Sequence, residues 1–227
     1  YKVKPPARAA FALPPKNHGN RRVFAYLHRS RGIAAEIVNH CIKNDLLYED
    51  AQHHNAVFVG KDENNNARYA FLRGTFTGSH FRQEATGSDK SYGFFLHGAG
   101  KTLFVCEAAI DALSVATLRK FDGLDWKKDN YLALGGVTAS ERKLPVALER
   151  TLNTFSFKRV VLCFDNDAAG QTAARRIFTM LRQRYLEKFE VKCCVPKVKD
   201  FNDQLCVKLQ NGKSSPSRGT RESNLSR

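Results

Sequence analysis

The chain has 227 residues, of which 42% are hydrophobic, enough for one large domain or two small ones with real cores. Lys and Arg number 37 against 22 Asp and Glu, a formal net charge of +15 that attracts polyanions, nucleic acid first among them. No stretch approaches the roughly 18 apolar residues of a membrane span, and the opening YKVKPPARAAFALPPKNHGN lacks a signal-type apolar segment. Membrane-embedded and secreted classes are therefore set aside, and a cytoplasmic protein is expected.

In chain order, residues 1–20 carry Pro5, Pro6, Pro14 and Pro15 among basic and small residues, which predicts an extended lead-in. From Arg21 to about Leu47, Val23, Tyr26 and Leu27 and then Ile33, Ile37, Val38, Cys41 and Ile42 recur at helical spacing, with Gly32 parting two short helices. AVFVG (56–60) and ARYAFLRGTF (67–76) read as strands of a hairpin joined by the polar turn KDENNN. Near residues 97–101 the rhythm changes. TLFVC, YLALGG, RVVLCF and EVKCCVP are strand-like runs, the first three each followed by an amphipathic helical stretch. This alternation predicts an α/β unit over 99–208 with a mainly parallel sheet and helices on both faces, preceded by a smaller α+β subdomain over 21–98. Residues 209–227 are polar and basic, without apolar period, and are expected to be a disordered tail. Tyr1 opens the sequence and Met180 is its only methionine, so a fragment or processed chain is expected. The six cysteines form no CxxC pair and are expected to be reduced, packed as small hydrophobes, and not to bind zinc.

In an open α/β sheet, ligands bind beyond the carboxyl ends of the strands, so acids placed there are candidates for chemistry. TLFVC delivers Glu107, and RVVLCF delivers Asp165 and Asp167, two residues apart on extended backbone. Asp111 lies one helical turn beyond Glu107, and Lys-Asp-Phe-Asn-Asp (199–203) brings Asp200, Asn202 and Asp203 after the last strand. So many like charges in one place repel unless protonated or bound to cations, and hard oxygen donors suit Mg²⁺ or Mn²⁺. Each acid also has an ordinary use: Asp167, ahead of Ala168-Ala169-Gly170, fits a helix N-cap, and Asp200 and Asp203 fit turn positions.

FVCEAAIDAL (104–113) resembles the glutamate motif of the Toprim fold, the catalytic domain shared by bacterial-type primases, type IA and type II topoisomerases and certain nucleases. YLALGGV (131–137) resembles its glycine-ended middle strand, and VVLCFDNDAAGQTAA (160–174) its Asp-x-Asp motif in the primase form. KDFNDQL (199–205) and GSDKSYGF (87–94) are similar to further primase segments. YLHRSRGI (26–33) with VFVG (57–60) is similar to the domain preceding Toprim in proteins of plasmids and conjugative elements. The resemblance implies a metal-dependent nucleotidyltransferase making RNA primers on a DNA template, single-stranded, from nucleoside triphosphates in plasmid or mobile-element replication, with helicase or relaxase partners. It implies Glu107, Asp111, Asp165, Asp167 and Asp200 as metal acids, with Glu107, Asp165 and Asp167 at the reaction. Asn202 and Asp203 are outer candidates. Lys90 would neutralise a phosphate, and Arg68, Arg73 and Arg82 would line the template or nucleotide path. Toprim nuclease or topoisomerase-like cleavage is one alternative; Ala108 stands where glycine is usual and Asn202 where an acid is usual, which keeps open another, a non-catalytic nucleic-acid-binding module.

Overall fold

The computed structural model describes residues 10–76, 78–136 and 143–213. The chain enters through α1 (Arg21–Ala25), which widens into a π-helical turn over Tyr26–Ser30, and continues as α2 (Ala35–Lys43). Between them Gly32 holds φ at +70°, and a Cβ there would come within 2.5 Å of Leu209 Cδ1, so both conformation and packing require glycine. The helical pattern predicted to about Leu47 stops at Lys43. Asp45 adopts a left-handed φ of 53°, and β1 (Leu47–Glu49) instead pairs with β2 (Ala56–Lys61).

β2 and β3 (Ala67–Arg73) form the expected antiparallel hairpin, with a register shift at Gly60/Lys61. Its turn is tied by the Asp62 side chain, which accepts from the Asn64 and Asn66 amides at 3.0 and 2.9 Å. β3 is shorter than its apolar run and pairs with β4 (Arg82–Glu84), giving a four-stranded sheet in the order β1-β2-β3-β4. The polar sequence of β4 carries no strand signal of its own. Its place comes from the partner.

The second sheet contains β5 (Phe94–Leu96), β6 (Thr102–Cys106), β7 (Asp129–Ala133), β8 (Arg159–Cys163) and β9 (Glu190–Cys193), in the order β5-β7-β6-β8-β9. The last four are parallel; β5 is an antiparallel edge. α3 (Ala109–Phe121) and α6 (Phe201–Lys213) pack on the face carrying Phe104, Cys106, Tyr131 and Cys163, while α4 (Val146–Thr154) and α5 (Ala168–Arg184) cover the face carrying Leu103, Val105, Leu132 and Leu162. Burying both faces is what makes these strands near-continuous apolar runs. Each fully buried Leu contributes about 1.5–3 kcal/mol.

β5 precedes the expected boundary yet belongs to the second sheet, and the first half shares its core with that sheet: Phe58 meets Phe94 edge to face at 5.6 Å. α6 runs through 209–213, where the tail was expected to begin; residues 214–227 and 1–9 lie outside the described residues, as does the 141–142 start of the helix predicted before α4. Cys41, Cys106 and Cys163 are buried as expected, but Cys193 and Cys194 are exposed because β9 is an edge strand that buries only Val191. Among the described residues no helix is long and apolar enough to cross a membrane.

Candidate functional site

Topology gathers the acids. Parallel pairing puts Cys106 opposite Cys163, so the residues that follow, Glu107 on one strand and Asp165 on its neighbour, emerge at the same sheet end. The Asp165 amide donates to Glu107 Oε1 at 3.3 Å. Gly170 on the first turn of α5 explains the small residue there: a Cβ would lie 2.4 Å from the Asp165 carbonyl oxygen and 2.9 Å from Glu107 Oε1. Asn166 ties the loops after β8 and β9 together, its amide donating to the Lys199 carbonyl at 2.7 Å and its side chain to that of Pro196 at 3.2 Å. Lys199 and Asp200 are thereby drawn toward Asp165.

Each acid's hydrogen bonding differs. Asp167 caps α5, Oδ1 accepting from the Gly170 amide at 2.7 Å, and Asp200 does the same for α6 through the Asp203 amide at 2.7 Å. The ordinary cap reading thus describes Asp167, and Asp200, expected in a turn, is a helix cap as well. Asp203 itself is exposed on the first turn of α6. Asp111 is 8% exposed and accepts the Asn202 amide at 3.3 Å. Asp165 Oδ1 is buried without a hydrogen-bond partner among the described residues. Burial, then the charge of Asp165, pushes Glu107 up to about 7. Burial, then Asp200 and Asp165, pushes Asp111 up to about 8. Burial, then Asp200 and Asp167, pushes Asp165 up to about 6.

Glu107, Asp111, Asp165 and Asp200 line a cleft of about 660 Å³ whose opposite wall comes from the four-stranded sheet. Of the basic residues singled out in the sequence, Arg73 and Arg82 line it; Arg68 and Lys90 do not. Arg68 is held in the β2–β3 turn by Asp62 at 2.9 Å, and Lys90 pairs with Glu84 at 3.1 Å. Arg73 Nε is buried without a partner among the described residues. Two cations in the lining, Arg31 and Lys199, were not anticipated. Arg31 donates to the Tyr26 hydroxyl at 3.0 Å and to Asn202 Oδ1 at 3.3 Å, while Asn202 Nδ2 donates back to the Arg31 carbonyl at 2.7 Å and to Ser114 Oγ at 3.0 Å. Asn202 therefore spends its whole amide joining α6, α3 and the Arg31 turn. The one available signal was an arginine placed directly before Gly32.

Residues 104–205 match the family model described as Toprim-like. The second half of the chain is a Toprim-like domain. Residues 25–101 match a family described as a protein of unknown function, DUF3991. No curated protein matches the chain in sequence. Among solved structures, the Toprim domain and the part before it together are similar in fold to the primase fragment of the bacteriophage T7 primase-helicase protein. The identity is 20%, over 93% of this chain and 78% of that one, with a TM-score of 0.57. The DnaG primase catalytic domain bound to ssDNA aligns at 12% identity, over 86% and 72% of the two chains, with a TM-score of 0.53. The DnaG catalytic core aligns at 15%, over 87% of this chain and 61% of that one, with a TM-score of 0.50. At such identities the likeness is one of fold: a mainly parallel Toprim sheet preceded by a smaller α+β region.

The donor chemistry of the Toprim site fits a hard divalent cation. Its free donors are carboxylate oxygens, one of them buried and unpartnered among the described residues, and burial followed by mutual repulsion raises the proton affinity of three. Among the described residues no three carboxylate, imidazole or thiol side chains stand in metal-holding geometry. Mg²⁺ does not need them to: it keeps several waters and takes one or two carboxylates directly.

Proposed function

We propose that this chain is the polymerising core of a primase-like nucleotidyltransferase that joins nucleoside triphosphates on a single-stranded DNA template, in plasmid or mobile-element replication with a helicase or relaxase as partner. The reading is supported above all by one observation: the cleft sets under-bonded carboxylates, with the orphaned Asp165 Oδ1 among them, against a wall of arginines that includes the unpartnered Arg73 Nε. Glu107, Asp111, Asp165, Asp167 and Asp200 would hold Mg²⁺ or Mn²⁺. Such a cation, when bound, neutralises phosphate oxygens and lowers the pKa of an attacking hydroxyl.

The chain's own residues supply the rest. Arg73, Arg82, Arg31 and Lys199 face the cleft as phosphate donors and orient a triphosphate or a template strand. Glu107, raised to about 7 by burial and by Asp165 while no cation is bound, gives up its proton near neutral pH to hold the cation as a carboxylate. Asp167 and Asp200 fix the first turns of α5 and α6; Asp200 lines the cleft and Asp167 stands just outside its lining.

The test is template-directed primer synthesis by the whole chain with four ribonucleoside triphosphates and Mg²⁺ or Mn²⁺. Oligonucleotide products that vanish for Glu107→Gln are the expected result. Plasmid nicking without synthesis would favour the Toprim nuclease reading. DNA binding with neither activity would reduce the chain to a binding module.

A further inference from the structure

The molecule has a second cleft, of about 560 Å³, at the other end of the parallel sheet. β5 runs antiparallel to β7 with Leu96 opposite Tyr131, so His97, which follows, lies beside the amino end of β7, whereas the carboxylates lie beyond the carboxyl ends. One wall is the end of α2 and the β2–β3 turn; the other is β5 and the end of α4. The volume falls within the about 300–1,000 Å³ usual for small-molecule sites.

Its lining divides into an aromatic floor and a cationic rim. Phe95, Phe155 and His97 form a triad with ring centroids 5.0–5.6 Å apart. Beside it Tyr92 is capped by the Arg150 guanidinium at 4.0 Å. The cleft's three carboxylates are all engaged: Asp45 by Lys16 at 2.6 Å, Asp62 by Arg68 at 2.9 Å and Glu63 by Arg150 at 2.6 Å. Two of its ammonium groups are not. Lys61 donates only to neutral oxygens, the Asn44 carbonyl at 2.8 Å and Asn65 Oδ1 at 2.9 Å, which leaves one donor unspent among the described residues; Asp45 offsets part of its charge without forming an ion pair with it. Lys43, on the rim, makes no ion pair among the described residues. Burial holds His40 and His97 below the ordinary imidazole pKa, so they add hydrogen-bonding capacity without charge.

An aromatic floor takes the face of a base, and unpaired ammonium groups take phosphate. We propose that this cleft binds a free nucleoside phosphate without a divalent cation, its base on the Phe95/Phe155/His97 floor and its phosphates at Lys61 and Lys43. The site is separate from the Toprim carboxylates, and the inference does not depend on their role.

The experiment is titration of the whole chain with ATP in the presence of a chelator, followed by equilibrium dialysis and by emission of Trp126. That residue is the chain's single tryptophan, and its ring lies 5.1 Å from His40 on the cleft wall. Saturable binding that changes Trp126 emission is expected. Lys43→Met with Lys61→Met should weaken it about tenfold or more, with thermal melts confirming that the variant is folded. Glu107→Gln with Asp165→Asn should leave it unchanged, so failure here is separable from failure of primer synthesis. Absence of binding at roughly 1 mM ATP, binding untouched by the paired lysine substitutions, or binding lost in Arg73→Ala would each overturn the proposal.

Discussion

Two buried carboxylates, one in each half of the chain, meet opposite fates. Glu49 on β1 is 3% exposed and accepts from the Arg22 and Val23 amides at 2.9 and 3.2 Å, from Asn17 Nδ2 at 2.8 Å and from His54 at 2.6 Å. Burial alone would push it up, but the bonds from His54, Val23, Asn17 and Arg22 outweigh burial and hold it below its ordinary value. Asp111 on α3, nearly as little exposed but set more deeply in the protein, has one long bond from the Asn202 amide and is pushed the other way. Burial therefore does not mark a functional acid. The shortfall of donors around it does, and among the described residues the carboxylates pushed up are those at the parallel sheet's carboxyl end.

The largest expected effect breaks the comparison at its chemical side. Glu107→Gln or Asp165→Asn should reduce primer synthesis by about 10²–10³-fold, measured as nucleotide incorporated per minute, with single-stranded DNA affinity nearly unchanged. Equal losses of binding and synthesis would show that these acids act through the fold. The next test is structural. Glu49→Gln should cost about 1–3 kcal/mol in urea unfolding, because amides and an imidazole lose a charged acceptor. Asp111→Asn should stabilise the chelator-treated protein at pH 8 by on the order of 1 kcal/mol, since it removes a charge the fold does not satisfy. The same sign for both substitutions would abolish the distinction.

Much of the Toprim half was legible because its signals are local. TLFVC and RVVLCF end in acids, and parallel pairing alone then brings Glu107 beside Asp165. The Ala-Gly after Asp167 encodes contact with Glu107, and the Asp167 cap was readable from the same residues. The first half hid its contribution because its signals are relational. Arg73 and Arg82 face the cleft while Arg68, on the same strand as Arg73, is claimed by Asp62, a choice fixed by the β2–β3 turn rather than by residue type. β4 is RQE and β5 is FFL, too short to declare themselves without β3 and β7. Asn202 reads as a missing acid, yet its Nδ2 donates to the Arg31 carbonyl and to Ser114 Oγ, two bonds that a carboxylate lacks the donors to reproduce.

A smaller effect sharpens the comparison from the basic wall. Arg73→Ala and Arg82→Ala should each lower the slope of log affinity against log salt for single-stranded DNA by about 0.7, the value of one phosphate contact. Arg68→Ala, paired within its own turn, should leave the slope unchanged. If Arg68 and Arg73 behave alike, the cleft does not define the path of the strand.

The smallest expected effect joins protons to cations. Glu107, Asp111 and Asp165 have folded values of about 7, 8 and 6, above those of unfolded carboxylates near about 4. Between about pH 4 and 8 the folded chain therefore holds more protons on these groups than the unfolded chain, and in chelator its stability falls as pH rises through this window. A Mn²⁺ ion held by the deprotonated carboxylates would compete with those protons at pH 6 and meet little competition at pH 8. Its stabilisation of the melting temperature should be a few degrees larger at pH 8 than at pH 6. Glu49, whose folded value lies below the unfolded one, contributes its stability across this whole range and loses it only at acid pH, so it does not disturb the contrast. A Mn²⁺ shift of equal size at both pH values would mean that the ion and the protons occupy different groups, and that the under-bonded acids are not where the cation goes.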